Sequence, residues 1–268
     1  MDDRAAISGT TRVFAILADP VAQVKSPQAL NRLARERDED SVLVPLHVAP
    51  ADLGRVVAGL RAVQSIGGFV VTVPHKTAVV EYCDTVSDAV RQVGAANVVI
   101  RSADGRLHGH NLDGLGFVAG LRLAGIEPEG LSVYLAGAGG AACAIAFALA
   151  QAGVRALTVY NRTPAKARQL LDRLAVAHPG LSMGVGSDNP SEHDLVVNAT
   201  SLGMREGDAL PCDVTRLEPG QVVAEIIMEP ASTPLLQAAK RQGCQTHPGV
   251  SMMEGQIELI FQTLHRGG

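Results

Sequence analysis

The sequence predicts a two-domain α/β protein, and three observations carry that expectation. Short β-branched apolar strands alternate with helix-length stretches along the 268 residues. A Gly-rich break separates a strand from an Ala-rich helix in mid-chain, and a D-G turn closes the segment before it. In order, residues 13–17 read as a strand, about 27–37 as a helix, 42–48 as a strand, 51–64 as a helix and 68–73 as a strand. This rhythm implies a mostly parallel sheet that is complete in itself. Residues 97–100 and 107–109 flank Ser102-Ala-Asp104-Gly105 and read as a hairpin on the same sheet. A linking helix, 112–123, leads past Gly125 and Pro128 into a second α/β unit with strands at 132–136, 156–160, 194–198 and 222–227. These strands are short and apolar, as expected when helices cover both faces. The last helix, 251–265, follows His247-Pro-Gly and is expected to fold back onto the first domain.

The Gly-rich break is the most informative stretch. Residues 131–136 form an apolar strand that stops at Gly137-Ala138-Gly139-Gly140-Ala141 and reopens as a helix over 141–152. Gly137 suits a tight turn, Gly139 lets a backbone approach a pyrophosphate, and small Ala142 lets the helix sit close to its strand. The helix N-terminus presents free N–H groups to an anion. About 20 residues on, a second strand ends at Asn161-Arg162-Thr163, the position at which a dinucleotide fold reads the adenosine ribose. A carboxylate there would bind a ribose 2′-OH, but none is present. Asn161, Arg162, Thr163 and Lys166 suit a 2′-phosphate, so the expected cofactor is NADP. The rival for the Gly-rich loop is a methyltransferase, against which the Arg162 and Lys166 cations speak.

Composition narrows the partner. At 47% hydrophobic, the chain can bury a sizeable core. It holds no apolar run near the roughly 18 residues of a membrane span, and its start, Met-Asp-Asp-Arg, does not resemble a signal peptide. No membrane association and a cytoplasmic location are expected. A net charge of −4, three Tyr and no Trp argue against a nucleic-acid surface. Cys83, Cys143, Cys212 and Cys244 form no C-x-x-C pair, and His47, His108, His178, His193 and His265 share no metal-like spacing. Free buried thiols, exposed or capping histidines, and no metal are expected. Arg35-Glu-Arg-Asp-Glu-Asp40 reads as a solvated helix end.

Candidate catalytic groups stand at strand ends. The strand at 68–73 runs into Pro74-His75-Lys76, and Asn111-Leu-Asp113-Gly114 opens the linking helix. An alcohol oxidised by hydride loss must also shed its proton, and a lysine acting with a carboxylate can take or return it. Asn97, after Gly94-Ala-Ala, and Gln256 on the last helix are amides able to read hydroxyls. His75 and His110 adjoin these motifs as possible ligand contacts, while Glu225 and Glu229 read either as cleft walls or as solvated strand-end charges.

These residues resemble the shikimate dehydrogenases, and the resemblance runs along nearly the whole chain. It is carried by Lys25-Ser26-Pro27, Val71-Thr72-Val73-Pro74-His75-Lys76, Gly94-Ala95-Ala96-Asn97 and Gly109-His110-Asn111-Leu112-Asp113-Gly114. It continues through Gly137 to Ala141, Asn161-Arg162-Thr163, Asn198-Ala-Thr-Ser201, Thr233-Pro234-Leu235-Leu236 and Gly249 to Gln256. The resemblance implies an open α/β cofactor domain of Rossmann type joined to a substrate domain. The division it implies is residues 1–111 for substrate and catalysis, 112–246 for the dinucleotide and 247–268 as a returning helix. It makes Lys76 and Asp113 the catalytic pair, with Asp113 orienting the lysine, and has Thr72, Asn97 and Gln256 bind ring hydroxyls. Ser26 holds the substrate carboxylate, and Thr200 joins the cofactor set. The implied reaction is reversible NADPH reduction of 3-dehydroshikimate to shikimate, or of a related cyclic polyol.

The chain also departs from the family pattern. Val24 replaces a serine and Met228 a tyrosine that meet the carboxylate, and Val70, Val98 and Leu112 replace polar residues. The hydroxyl-reading half of the site is kept, and the carboxylate half keeps only Ser26. The alternatives are a quinate or aminoshikimate-type dehydrogenase with little shikimate activity and a non-catalytic nucleotide-binding regulator. The expected assembly is a monomer or homodimer.

Overall fold

The computed structural model describes residues 7–266. The chain forms two compact units, one running to Leu112 and resuming at Ile257, the other comprising Asp113–Gln256.

The first unit contains β1 (Arg12–Ala18), α1 (Ser26–Glu36), β2 (Ser41–His47), α2 (Leu53–Ala62), β3 (Ile66–Val71), β4 (Thr85–Val86), α3 (Asp88–Val93), β5 (Val98–Arg101) and β6 (Leu107–His110). Its sheet has the order β2-β1-β3-β5-β6-β4. β1 runs parallel to β2 and β3, and β5 is antiparallel to β3 and β6. The hairpin expected around Asp104-Gly105 is present, with Val98 opposite His110 and Arg101 opposite Leu107. Period-2 alternation splits β3 between two cores. Phe69 and Val71 join Leu17, Val99 and the α2 residues Leu53 and Val57. Val70 joins Phe14, Ile16, Val98 and the α1 residues Leu30 and Ala34.

The second unit contains α4 (Asp113–Leu123), β7 (Ser132–Ala136), α5 (Gly140–Gln151), β8 (Ala156–Tyr160), α6 (Pro164–Ala177), β9 (Ser182–Val185), β10 (Leu195–Asn198), β11 (Val222–Glu225), α7 (Pro234–Arg241) and β12 (Gln245–His247). The last helix, α8 (Val250–Arg266), begins in this unit and ends in the first. All pairings in the order β12-β11-β10-β7-β8-β9 are parallel. The chain winds outward in both directions from β7 and β10, so the topological switch point lies between them. In such sheets ligands bind outside the strand carboxyl ends at that point. β7 and β10 are buried along their whole length, consistent with cover on both faces.

Three elements depart from the sequence expectation by two residues or more. The strand expected to reach residue 227 stops at Glu225, because the Glu225 carboxylate takes the N–H groups of Ile226 and Ile227 away from the ladder. The strand expected to reach 73 stops at Val71. Thr72 still donates to the Leu17 carbonyl at 3.1 Å, but its own carbonyl accepts the His75 N–H at 2.9 Å and the chain turns. The helix expected over 51–64 is a 3-10 turn, Pro50–Asp52, followed by the shorter α2. Among the described residues, no helix is long and apolar enough to cross a membrane.

The C-terminal part of α8 closes the second core of the first unit, with Phe261 4% and Leu264 1% exposed. His265 continues the contact, its Nε2 lying 2.9 Å from Ser41 Oγ and its ring tilted against Phe14. Truncating Leu264 to Ala removes buried methyl groups and leaves a cavity, so Leu264→Ala should lower the stability of this unit by about 2–5 kcal/mol in chemical denaturation. A loss under about 1 kcal/mol would show that the helix end contributes little to that core.

Candidate active site

The strand ends of the first unit are held by side chains that bond to backbone. Asn97 is buried, and its Oδ1 accepts the Leu112 N–H at 2.9 Å. Its own N–H donates to the His110 carbonyl at 2.9 Å, and its carbonyl accepts from Val71 N at 2.8 Å. Buried Asn111 donates from Nδ2 to the Ala95 carbonyl at 2.9 Å, which ties down the segment between α3 and β5. Lys76 is half-buried and its carbonyl accepts the Ala96 N–H at 2.8 Å, so the lysine-bearing turn is fastened to the same segment. Thr72, half-buried, precedes it.

His75 is a structural residue. It is 1% exposed, and its Nε2 lies 2.8 Å from the Val48 carbonyl, which occupies the ring with backbone. His110 is half-buried, with burial and the neighbouring His108 holding its pKa below the ordinary histidine value. Ser26 opens α1 with Pro27 behind it, and Lys25 stands at the N-cap. Val24 packs on the apolar cluster of Phe14, Leu30 and Val70.

In the second unit, Asp113 is the first residue of α4, is 8% exposed, and its Oδ1 accepts from Gln256 Nε2 at 2.9 Å. Gly116, one turn on, makes room for that amide, since a Cβ there would lie 2.0 Å from Gln256 Cγ. Two residues 143 positions apart are thereby held together.

The Gly-rich loop has the form the sequence predicts. Gly137 adopts φ +118°, a conformation that L side chains rarely take, and a Cβ there would approach the Ala199 carbonyl oxygen to 2.8 Å. At Gly139 and Gly140 an added Cβ would meet nothing within 4 Å, so the loop faces open space. α5 begins behind Gly139 with no side chain capping its first turn, which leaves the positive end of the helix available to an anion. At the end of β8, Arg162 and Lys166 are exposed, and Asn161 Nδ2 donates to the Thr163 carbonyl at 2.9 Å to brace the turn. An open cradle and two cations without a carboxylate at this strand end fit a dinucleotide with a 2′-phosphate. Thr200 N and Oγ1 both donate to Asn198 Oδ1, at 3.0 and 2.7 Å.

The two glutamates are separated by the structure. Glu229 is exposed, whereas Glu225 has 0% exposure and accepts hydrogen bonds from Asn198, Ile226, Ile227 and Thr233. Burial pushes its carboxyl pKa up against these bonds. Asn198 and Thr233 sit in the motifs quoted above, but their partnership with Glu225 spans 27 and 8 residues and leaves no periodic trace. Met228 follows in the same segment, 43% exposed.

Of the histidines expected to be exposed or capping, His47 is exposed and His178 is the C-cap of α6, while His108, His193 and His265 are half-buried with hydrogen-bond partners. His47 pairs with Asp19 at 2.7 Å, His108 with Thr85 at 2.6 Å, and His193 with Thr158 at 2.9 Å. His178 lies against the Phe147 ring. The four cysteines are free, and burial pushes the thiols of Cys83 to about 11 and of Cys212 to about 12, which disfavours the thiolate form at neutral pH.

One buried polar atom is orphaned. His247 is 2% exposed, its Nε2 has no hydrogen-bond partner among the described residues, and its ring meets the Phe117 ring edge-on. Burial lowers its pKa from the ordinary value. The unfolded chain takes up a proton below about pH 6.5 that the folded state resists, so this contribution to stability is intact above that pH and is lost as the pH falls. His247→Leu should therefore stabilise the second unit by about 1 kcal/mol at pH 7.5 and by more at pH 5.5 in parallel denaturation curves. Equal gains at both pH values would contradict the assignment.

Comparison with known proteins places this geometry. Residues 16–99 match the family model described as shikimate dehydrogenase substrate binding domain, and residues 124–202 match shikimate / quinate 5-dehydrogenase. A shikimate dehydrogenase (NADP(+)) from Rubrobacter xylanophilus is 41% identical over 256 residues, covering 92% of this chain and 88% of the relative. The structure of shikimate 5-dehydrogenase from Listeria monocytogenes in complex with shikimate and NAD is 31% identical with a TM-score of 0.88, covering 97% of this chain and 93% of that one. The shikimate 5-dehydrogenase from Thermus thermophilus in complex with NADP(H) and shikimate is 32% identical with a TM-score of 0.82, covering 94% and 92%. With relatives 31–41% identical over more than nine-tenths of its length, the chain belongs to the shikimate dehydrogenase family.

Proposed function

We propose that this chain is an NADP-dependent alcohol dehydrogenase that interconverts a ring hydroxyl and ketone of shikimate or a close cyclic relative. The observation that carries the reading is the pairing, within one family-typical fold, of the open Gly137–Ala141 cradle with a strand-end lysine held at a braced turn. NADP, when bound, supplies or accepts the hydride. The residues assigned to hold it are Gly137, Ala138, Gly139, Gly140 and Ala141 at the pyrophosphate, Asn161, Arg162, Thr163 and Lys166 at the 2′-phosphate, and Thr200.

In this reading, Lys76 gives a proton to the oxygen of the ketone in reduction and takes it from the hydroxyl in oxidation. The Asp113 carboxylate, pre-oriented by the Gln256 amide, accepts a hydrogen bond from a ring hydroxyl. Thr72, Asn97 and Gln256 read hydroxyls. Ser26 carries the carboxylate end, where Val24 and Met228 contribute a branched methyl pair and a thioether in place of hydroxyls. Four free thiols suit a reducing compartment, and we place the enzyme in the cytoplasm.

Two experiments test the reading. Lys76→Ala should lower kcat for shikimate oxidation by about 10²–10⁴, the usual worth of general acid–base assistance, while NADPH still binds. Near-normal turnover would show that another group moves the proton. Arg162→Ala should raise KM for NADP about 10-fold or more and leave KM for NAD nearly unchanged, since only the phosphorylated cofactor loses a charge-assisted bond worth about 1.5–3 kcal/mol. Equal effects on both cofactors would remove the 2′-phosphate assignment.

A further inference from the structure

Glu225 ends β11 with its side chain wholly out of water, and it has no place in the chemistry just described. Its carboxylate receives five hydrogen bonds. Asn198 Nδ2 donates to both oxygens, at 3.1 and 3.0 Å. Ile226 N and Ile227 N donate to Oε1 at 2.9 and 3.2 Å, and Thr233 Oγ1 donates to Oε2 at 3.0 Å.

The donors stand at the end of β10, just past β11 and at the N-cap of α7. On one side, the Asn198 amide is shared between Glu225 and the Leu202 carbonyl, at 3.0 Å, while Asn198 Oδ1 holds Thr200 by both its N–H and its hydroxyl. The Ala199 carbonyl between them is the atom that Gly137 must clear. On the other side, the Ile226 and Ile227 bonds fix the start of the segment that carries Met228, and Thr233 fixes its end while also capping α7 through Leu236 N at 3.4 Å. The carboxylate therefore ties the Thr200 turn, which walls the Gly-rich cradle, to the Met228 segment.

We infer that Glu225 is a positioning residue that sets the cofactor wall at Ala199 and Thr200 through Asn198, and the Met228 segment through Ile226, Ile227 and Thr233. The inference rests on the NADP reading of the cradle. Glu225 touches neither cofactor nor substrate; it acts by holding backbone groups where only a carboxylate can accept all these donors at once.

The donor pattern suggests a sharp test. In Glu225→Gln, one oxygen still accepts from Ile226 and Ile227, but the new amide faces the Asn198 amide, donor against donor. Adding Asn198→Asp turns that contact into an amide donating to a carboxylate and keeps acceptors for Thr200, at the cost of the Asn198 bonds to the Leu202 carbonyl and to the retained oxygen of residue 225. Dissociation constants for NADPH are measured from the fluorescence of the bound nucleotide on wild type, E225Q, E225Q/N198D and the milder T233V, each checked for folding by thermal melting.

The expected result is NADPH binding about 10-fold weaker in E225Q, at least a threefold recovery in E225Q/N198D, and affinity within twofold of wild type in T233V, which leaves the Asn198 arm intact but should raise KM for shikimate. A carboxylate with a merely structural role would lower melting temperature and leave NADPH affinity unchanged in the folded protein. That outcome, or a failure of the double variant to recover affinity, would overturn the proposal. Should E225Q fail to fold, the double variant and T233V decide it: weak NADPH binding in the folded double variant, or equal loss of NADPH affinity in T233V, contradicts the assignment of arms. Wild-type protein that bound no NADPH would bring down the functional reading and this proposal with it, whereas wild-type binding with an insensitive E225Q would bring down the proposal alone.

Discussion

A carboxylate removed entirely from water must be met by donors or it is expelled, and at Glu225 that requirement organises one end of the second unit. The donors available there are backbone N–H groups that have left the sheet ladder, an asparagine amide and a threonine hydroxyl. Meeting them ends β11 two residues early and aligns two neighbouring strand-end loops. A hydrogen bond to a charged group is typically worth about 1.5–3 kcal/mol, so the arrangement resists local drift. The Gly-rich turn packs directly against this braced backbone at Ala199.

The first unit meets the same demand at its strand ends with two asparagine amides and an imidazole. Asn97, Asn111 and His75 spend their polar atoms on backbone groups of Leu112, Ala95 and Val48. Strand ends that would otherwise expose unpaired backbone are closed by side chains, and Lys76 rides on a turn fastened to Ala96. Precise placement of reacting groups matters because a misplacement of about 1 Å can cost roughly 10²-fold in rate. A rigid scaffold of side-chain-to-backbone bonds supplies that placement.

Much of this was legible in the residues. Short β-branched apolar strands, the D-G hairpin and the strand–glycine–helix transition at Gly137 leave local signatures, and the structure has all three. Local reading missed β4, β9 and β12, which are two to four residues long and carry little pattern, and it did not assign α3, α6 or α7. Function-bearing motifs such as that of Lys76 were visible because their neighbours are unusual for their elements. His75 was not separable from a ligand contact until its partner was known to be Val48, 27 residues away. Glu225 was ambiguous for the same reason: burial and hydrogen-bond partners come from long-range packing, and no window of sequence contains them.

The charge balance around the cradle explains why a phosphorylated dinucleotide suits it. Arg162 and Lys166 are exposed in the first turn after β8, without a neighbouring acid at the strand end to repel the 2′-phosphate or to bind a free 2′-OH. The claim that unites cradle, lysine and fold is direct hydride transfer between this cofactor and a ring carbon of shikimate. Its most direct measurement is isotope tracing: the wild-type protein is given NADPH carrying deuterium at the transferable position together with 3-dehydroshikimate, and the shikimate formed is weighed by mass spectrometry. The account predicts one deuterium in the product, carried from the cofactor and not from solvent. Absence of shikimate, or shikimate formed without cofactor deuterium, would contradict it.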